Sequence, residues 1–159
     1  MVGLLAEEGG RFLFRTDQGR INARTWRRGT ALLLAILIVL TAIWLPLEPL
    51  THRDLATTPF FAWTTVAAFA YLVLYAFAVL LIAICHYNLS AKRWRDRRWP
   101  GALAGLLPFF ALLSGAAHWL QPRVAEVLPY WYVAGVDVLL VAIIVWNLVE
   151  LGVLDRRSL

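Results

Sequence analysis

The sequence predicts an all-α polytopic membrane protein with four transmembrane helices and both termini in the cytoplasm. Its 159 residues are 61% hydrophobic and only 16% charged, whereas soluble domains are about half apolar and about a quarter charged. The apolar residues form four blocks, each near the length of about 20 residues that a spanning helix needs. The basic residues flank these blocks unevenly, which indicates their orientation.

Each apolar block is expected to be a helix because an open chain satisfies its backbone hydrogen bonds in lipid only in that form. Proline-containing turns separate the blocks, for example at Pro46 and Pro49 after the first and at Pro100 before the third. The predicted spans, all within one transmembrane domain 25–151, are residues 25–45, 59–85, 100–119 and 129–151. Residues 1–24 are predicted to be a basic cytoplasmic segment at the membrane interface, and residues 152–159 a cytoplasmic tail.

The distribution of lysine and arginine predicts the orientation of the spans. Of the 15 basic residues, all but Arg53 and Arg123 lie before or at the start of the first span, between the second and third, or after the fourth. Basic residues stay on the cytoplasmic side of a bilayer. Both termini and the connection between the second and third spans are therefore predicted to lie on the cytoplasmic side. The net charge of +5 lies beside apolar spans, so anionic lipid headgroups are expected as partners, and nucleic acid is not.

No metal site and no cofactor are predicted. His86 is expected at the inner end of the second span, whereas His52 and His118 are expected near the outer face, so the three histidines do not share one metal. Phosphate-binding loops, dinucleotide fingerprints and nucleophile elbows are not found in the sequence. The single cysteine, Cys85, excludes an intrachain disulfide.

The connection between the second and third predicted spans is rich in arginine and carries one acidic residue, Asp96. A carboxylate binds an arginine fork through two parallel hydrogen bonds, so Asp96 is predicted to clamp the start of the first span through Arg20 or Arg24. The alternative is a local pair with Arg93. The remaining basic residues at this face are predicted to contact anionic lipid or an acidic partner, namely Arg27, Arg28, Lys92, Arg93, Arg95, Arg97 and Arg98.

The stretches "GRINARTW" (19–26) and "AKRWRDRRWPG" (91–101) resemble two motifs of the domain of unknown function 805 family, the YhaH-like small inner-membrane proteins. Gly19, Arg20, Ile21, Arg24 and Trp26 match the family's entry motif, and Lys92, Arg93, Asp96 and Gly101 match its middle loop. Arg95 stands where the family usually has histidine, Arg98 stands at or beside a glycine position, and Pro100 replaces a serine. The resemblance implies four spans and an inner-membrane location, and it implies no reaction.

Asp137 is the acidic residue expected deepest in a span, about 12 Å from the outer end of the fourth at 1.5 Å per residue. An acid at that depth is costly and marks a candidate site. Together with Tyr71, Tyr75 and His118 it is predicted to form an intramembrane polar site. The carboxyl group then either carries a proton or makes a hydrogen-bonded contact between helices.

The predicted function is that of a non-catalytic accessory or scaffold subunit, which docks through its spans to other membrane subunits or to further copies of itself. One alternative is a small oligomeric transporter or proton-linked carrier that uses Asp137. A second alternative is an enzyme at the membrane interface, for which Asp96, His86 and Glu150 are the only titratable set at one depth.

Overall fold

The computed structural model describes residues 7–51 and 62–154, and within these ranges it is all helical, without strands. Five α-helices follow one another: α1 (Glu7–Phe14), α2 (Ala23–Leu47), α3 (Trp63–Asp96), α4 (Leu106–Leu120) and α5 (Tyr130–Asn147). Short 3₁₀ turns cover Glu48–Thr51, Gly101–Gly105 and Gln121–Arg123, and a π-helical turn covers Leu148–Val153. The all-α prediction is confirmed.

Four of these helical stretches are long and apolar enough to cross a membrane: Ala23–Thr51, Trp63–Asp96, Gly101–Leu120 and Tyr130–Val153. Their surfaces agree with that composition, because large apolar side chains such as Leu45, Leu74 and Val138 are about two-thirds exposed. Four helices of spanning length were expected, and four are present in the described residues. The protein is therefore compatible with several membrane passes.

The chain divides into two compact units, a terminal unit (Met1–Thr30 and Ile84–Leu159) and a central unit (Ala31–Ala83). The core of the terminal unit contains Trp26, Leu89, Trp94 and Leu151, each at most 1% exposed. Leu13 of α1 and Ala104 belong to the same cluster. The central unit holds the apolar middle of α2 and the first two-thirds of α3, where Ala68 is fully buried.

Helix α2 begins with an asparagine cap. The Asn22 side-chain oxygen accepts a hydrogen bond of 2.8 Å from the backbone N–H of Thr25, which satisfies one of the donors that a helix start leaves free. Gly19 precedes this cap in a left-handed conformation (φ 98°). A Cβ at Gly19 would lie 2.8 Å from the Phe12 ring, so both backbone and space require glycine there.

Helix α3 ends eleven residues later than the predicted span, because its last three turns are held by buried side chains and by partners elsewhere in the terminal unit. It closes with the backbone N–H of Trp99 bonded to the Trp94 carbonyl (2.9 Å) and that of Arg98 to the Arg95 carbonyl (3.1 Å). This pair of bonds is a Schellman motif. Arg98 occupies its left-handed position with φ 61°, where glycine is the usual residue.

The third apolar block begins with the 3₁₀ turn Gly101–Gly105 and becomes α-helical at Leu106. Pro108 lies in the first turn of α4, where backbone N–H groups have no helical partner and proline costs little. A kink at Pro108 is therefore not needed to accommodate its ring.

Candidate functional site

The best-defined polar cluster of the terminal unit surrounds Lys92, which is fully buried. Its Nζ donates a hydrogen bond of 3.0 Å to the carbonyl oxygen of Leu13 and further bonds to the carbonyls of Phe12 and Thr16. It also lies 4.8 Å from the centroid of the Phe12 ring. Helix α1 ends at Phe14, and a cation at a helix C-terminus binds the carbonyls that lack helical partners. Lys92 therefore fixes the end of α1.

Two further side chains of α3 hold the same amino-terminal segment. Asn88 donates from Nδ2 to the Phe14 carbonyl at 2.7 Å. Arg95 donates to the Asp17 carboxylate at 2.6 Å and also to the Asp17 backbone carbonyl. The hydrogen bond from Arg95 lowers the pKa of the Asp17 carboxyl below its usual value. The positions 88, 92 and 95 share one face of a helix, so one face of α3 holds residues 12–17.

A second face of α3 binds the carboxyl end of the fourth apolar helix. Arg93, 1% exposed, donates from Nε to the Leu151 carbonyl at 3.0 Å and from Nη2 to that of Leu154 at 2.5 Å. Arg97, 3% exposed, donates to the Glu150 carboxylate at 2.7 Å. Arg93 therefore occupies backbone carbonyls at the end of the π-helical turn, and Arg97 binds a side chain of that turn, so both arginines hold this helix end against α3.

The start of α2 joins the cluster through Trp26. Its indole N–H donates to the Ser90 hydroxyl at 3.1 Å, and its ring lies edge-on to His86 at 6.3 Å between centroids. A Cβ on Gly152 would lie 3.1 Å from the Trp26 ring, so the fourth apolar helix passes close to it. Trp94 packs on Trp146 at 4.9 Å. The amino-terminal segment, the start of α2 and the end of the fourth apolar helix therefore meet around the last turns of α3.

The clamp predicted between Asp96 and the start of the first span is considered against these contacts. Asp96 makes an ion pair with Arg93, three residues earlier in α3, which was the alternative partner. Arg20 and Arg24 are exposed. A contact of Asp96 with Arg20 or Arg24 stays a prediction.

The predicted lipid-contact residues separate into two groups. Lys92, Arg93 and Arg97 are buried against carbonyl and carboxylate groups of the chain, which differs from the expectation that they contact lipid or a partner. The physical reason is that the ends of α1 and of the fourth apolar helix supply oxygen atoms that bind these cations inside the protein. Arg95 is half-buried on Asp17. The exposed members are Arg27, Arg28 and Arg98.

A separate polar site joins α4 to α5. The Ser114 hydroxyl donates to Oδ1 of Asp137 at 2.6 Å, and Nε2 of His118 lies 2.9 Å from Oδ2. The side chains of His118 and Asp137 are 53% and 36% exposed, whereas Ser114 is buried. Asp137 lies seven residues after the start of α5, about 10 Å along the axis. His118 was predicted here, and Ser114 was missed.

The order of these three groups limits their chemistry. The Asp137 carboxylate lies between the serine and the histidine and accepts from both. In a serine nucleophile site the histidine bonds the hydroxyl directly and the acid orients the histidine. The site therefore suits a helix-to-helix contact or the binding of a proton, and it is not arranged to activate Ser114.

The two predicted tyrosines make their hydrogen bonds within the central unit. The Tyr71 hydroxyl donates to the Leu40 carbonyl at 2.7 Å, and the Tyr75 hydroxyl lies 3.0 Å from that of Thr41. Tyr75 also stacks on Trp44 at 6.1 Å. These contacts join α2 to α3, so both tyrosines pack helices together.

The residues of the predicted interface enzyme have separate partners. Asp96 bonds Arg93, Glu150 bonds Arg97, and Nε2 of His86 lies 3.5 Å from the Ser90 hydroxyl. Across residues 7–51 and 62–154, no group of three metal-binding side chains is present. His52 lies outside the described residues.

Comparisons with protein-family models, with curated proteins and with solved structures each gave no match to the chain.

Proposed function

We propose that the chain is a multi-pass protein of a bacterial inner membrane, with both termini in the cytoplasm. In this proposal it acts as a non-catalytic accessory or scaffold subunit of a larger membrane assembly. Its basic cytoplasmic face contacts anionic lipid headgroups or an acidic partner. Membership of the domain of unknown function 805 family, inferred from the two short motifs, is part of the same proposal.

The contacts between helix ends in the terminal unit support the proposed orientation in the membrane. The amino-terminal segment, the start of α2, the end of α3 and the end of the fourth apolar helix meet in the terminal unit, through Lys92, Trp26 and Arg93. These are the chain segments in which basic residues concentrate. Chain segments that touch lie on the same side of a bilayer. With four spans, both chain ends lie on one side, and the basic residues concentrate on that side. The positive-inside rule predicts that this side faces the cytoplasm.

The exposed arginines support lipid contact at this face. Arg24, Arg27 and Arg28 are exposed at the start of α2, directly before its apolar residues. Arg20 lines an open groove of about 300 Å³ with Phe12 and other residues of α1 and the α2 start, so a guanidinium lies beside apolar surface. A basic residue near an anionic membrane surface contributes about 1 kcal/mol to attraction.

The non-catalytic proposal rests on how the polar groups of this face are used. Lys92, Arg93 and Arg97 are occupied by the chain's own oxygen atoms, so they stabilise a junction of helix ends. A catalytic site needs titratable groups that converge on a space for substrate.

The lipid part is tested by replacing Arg24, Arg27 and Arg28 together with glutamine and, as a matched control, with lysine. In nanodiscs, phosphatidylglycerol is expected to raise the melting temperature of the wild type and of the lysine variant relative to phosphatidylcholine. The glutamine variant should lose most of that increase, because its headgroup attraction is gone. An equal increase in all three proteins would refute lipid contact at this face.

The subunit part is tested by purification in mild detergent followed by native mass measurement. A reproducible assembly larger than one chain is expected. A lone monomer from membranes that retain other complexes intact would contradict the proposal.

The bonded Asp137 site favours transport as a second candidate, because a partly exposed carboxylate beside histidine can exchange a proton. Replacing Asp137 by asparagine separates the two functions. A carrier should lose proton flux into vesicles while yield and assembly stay normal. A scaffold should show the same background flux with either residue.

A further inference from the structure

The Ser114–His118–Asp137 site lies on a surface that the rest of the terminal unit leaves partly open. Ionisable side chains within spans almost always face other protein or water, because lipid does not solvate them. His118 is nevertheless 53% exposed and Asp137 36% exposed. If α4 and α5 cross the membrane, as the proposed function requires, this surface needs a protein neighbour.

Helix geometry defines the side on which that neighbour lies. Ser114 points at Asp137, and at about 100° per residue His118 and Gly115 are turned about 40° and 100° from Ser114. Val138 is turned about 100° from Asp137 in the same sense. Residues 121–129 connect α4 to α5, and a short connection makes the helices antiparallel. In an antiparallel pair these equal rotations lead to the same side.

The residues on that side are open and mostly small or apolar. Gly115 is exposed, and a Cβ added to it would meet nothing within 4 Å. Val138 and Val141 are 68% and 58% exposed. A helix laid beside Gly115 therefore approaches closely, next to the polar pair.

We propose that this face of α4 and α5 is the interface with a second copy of the chain, in a two-fold dimer. The hydrogen-bonding capacity of the site is self-complementary. His118 uses Nε2 for Asp137. When the histidine–carboxyl pair carries no net charge, as lipid favours, Nδ1 bears a hydrogen and donates, and the carboxyl oxygens accept further hydrogen bonds. One copy thus offers both a donor and an acceptor, which a two-fold interface requires of a single patch.

The symmetry of the membrane suits this pairing. A two-fold axis along the membrane normal keeps corresponding residues of the two copies at equal depth. His118 of one copy then lies level with Asp137 of the other, because the two are already bonded within each copy. A partner that offered only cations or only anions would leave one member of the pair unsatisfied in lipid.

Cysteine cross-linking tests the interface. In a Cys85→Ser background, Gly115→Cys places a thiol on the proposed face. Leu113→Cys is the matched control, because Leu113 is also exposed and lies in α4 two residues before Gly115, at a similar depth. Leu113 is turned about 100° from Ser114 in the sense opposite to Gly115, so it lies on the other side of the helix pair.

On mild oxidation of native membranes, the cysteine at 115 should give a covalent dimer and that at 113 should not. His118→Phe should weaken dimerisation about tenfold, since two symmetric polar contacts are lost, as measured by energy transfer between labelled copies in vesicles. Equal cross-linking at both positions, or no cross-linking at 115, would overturn the proposal.

The same experiment separates this inference from the proposed function. If the cysteine at 115 cross-links only to a different protein, self-association is wrong and the subunit function stands. If the protein is monomeric in native membranes by every measure, both are wrong.

Discussion

Replacing Lys92 by methionine should release helix α1 from the rest of the terminal unit. Methionine keeps an unbranched apolar stem in the buried position and removes the ammonium group. Three carbonyl oxygens lose a charged donor, and a hydrogen bond to a charged group contributes about 1.5–3 kcal/mol. Phe12 and Thr16 are exposed, so water can replace two of the bonds. We therefore expect a loss of about 3 kcal/mol rather than the sum.

Hydrogen–deuterium exchange in nanodiscs measures this loss locally. A free-energy change of about 3 kcal/mol corresponds to about 150-fold faster exchange for the amides in the last turn of α1. Arg28→Met is the control, since it removes a cation from an exposed position and should leave α1 protected. If Lys92→Met exchanges no faster than Arg28→Met, the role assigned to Lys92 is wrong.

Three further predictions concern single positions in the terminal unit. Gly29→Ala should lower the free energy of unfolding by about 1–3 kcal/mol, because its Cβ would lie 2.7 Å from buried Leu89. In a Leu89→Ala background the same substitution should cost little, and a neutral Gly29→Ala in the wild type would refute the contact. Arg98→Gly should raise the free energy of unfolding by about 1 kcal/mol, because the φ of 61° at this position suits glycine. Arg98→Ala should not raise it, and equal melting temperatures for the two variants would contradict this reasoning. The pKa of the Asp17 carboxyl is lowered by Arg95, so the stabilising pair is fully present above the unfolded pKa of about 3.9 and is lost as pH falls through the lower folded pKa. In Arg95→Gln the pKa of Asp17, measured from the carbon-13 shift of its carboxyl group, should rise. An unchanged pKa would show that Arg95 is not the cause.

The four apolar helices were predictable because hydropathy and length decide them. The end of α3 was not. Residues 86–96 carry Lys92, Arg93 and Arg95, and such a composition is typical of a solvated connection. Their burial depends on carbonyls of residues far away in sequence, at the ends of α1 and the fourth apolar helix. No local pattern shows which oxygen atoms will bind a cation.

The polar site was predictable in part. Asp137 stood out as an acid within a span, and His118 was among its expected partners. Ser114 was missed, although it lies four residues before His118 and so shares its helix face. The four-residue spacing of Ser114 and His118 therefore indicated Ser114 as a further partner of Asp137. The separate bonding of Tyr71 and Tyr75 within the central unit depended on which helices pair, which one sequence does not specify.

The central claim, four spans with both ends of the chain on one side, is tested most directly by labelling single cysteines with an impermeant maleimide. In a Cys85→Ser background, cysteine is placed at Gln18, Thr51, Val127 and Leu154, which lie outside α2 to α5. In intact spheroplasts we expect labelling at 51 and 127 only, with 18 and 154 labelled after permeabilisation. Labelling of 18 and 127 from the same side would contradict the account.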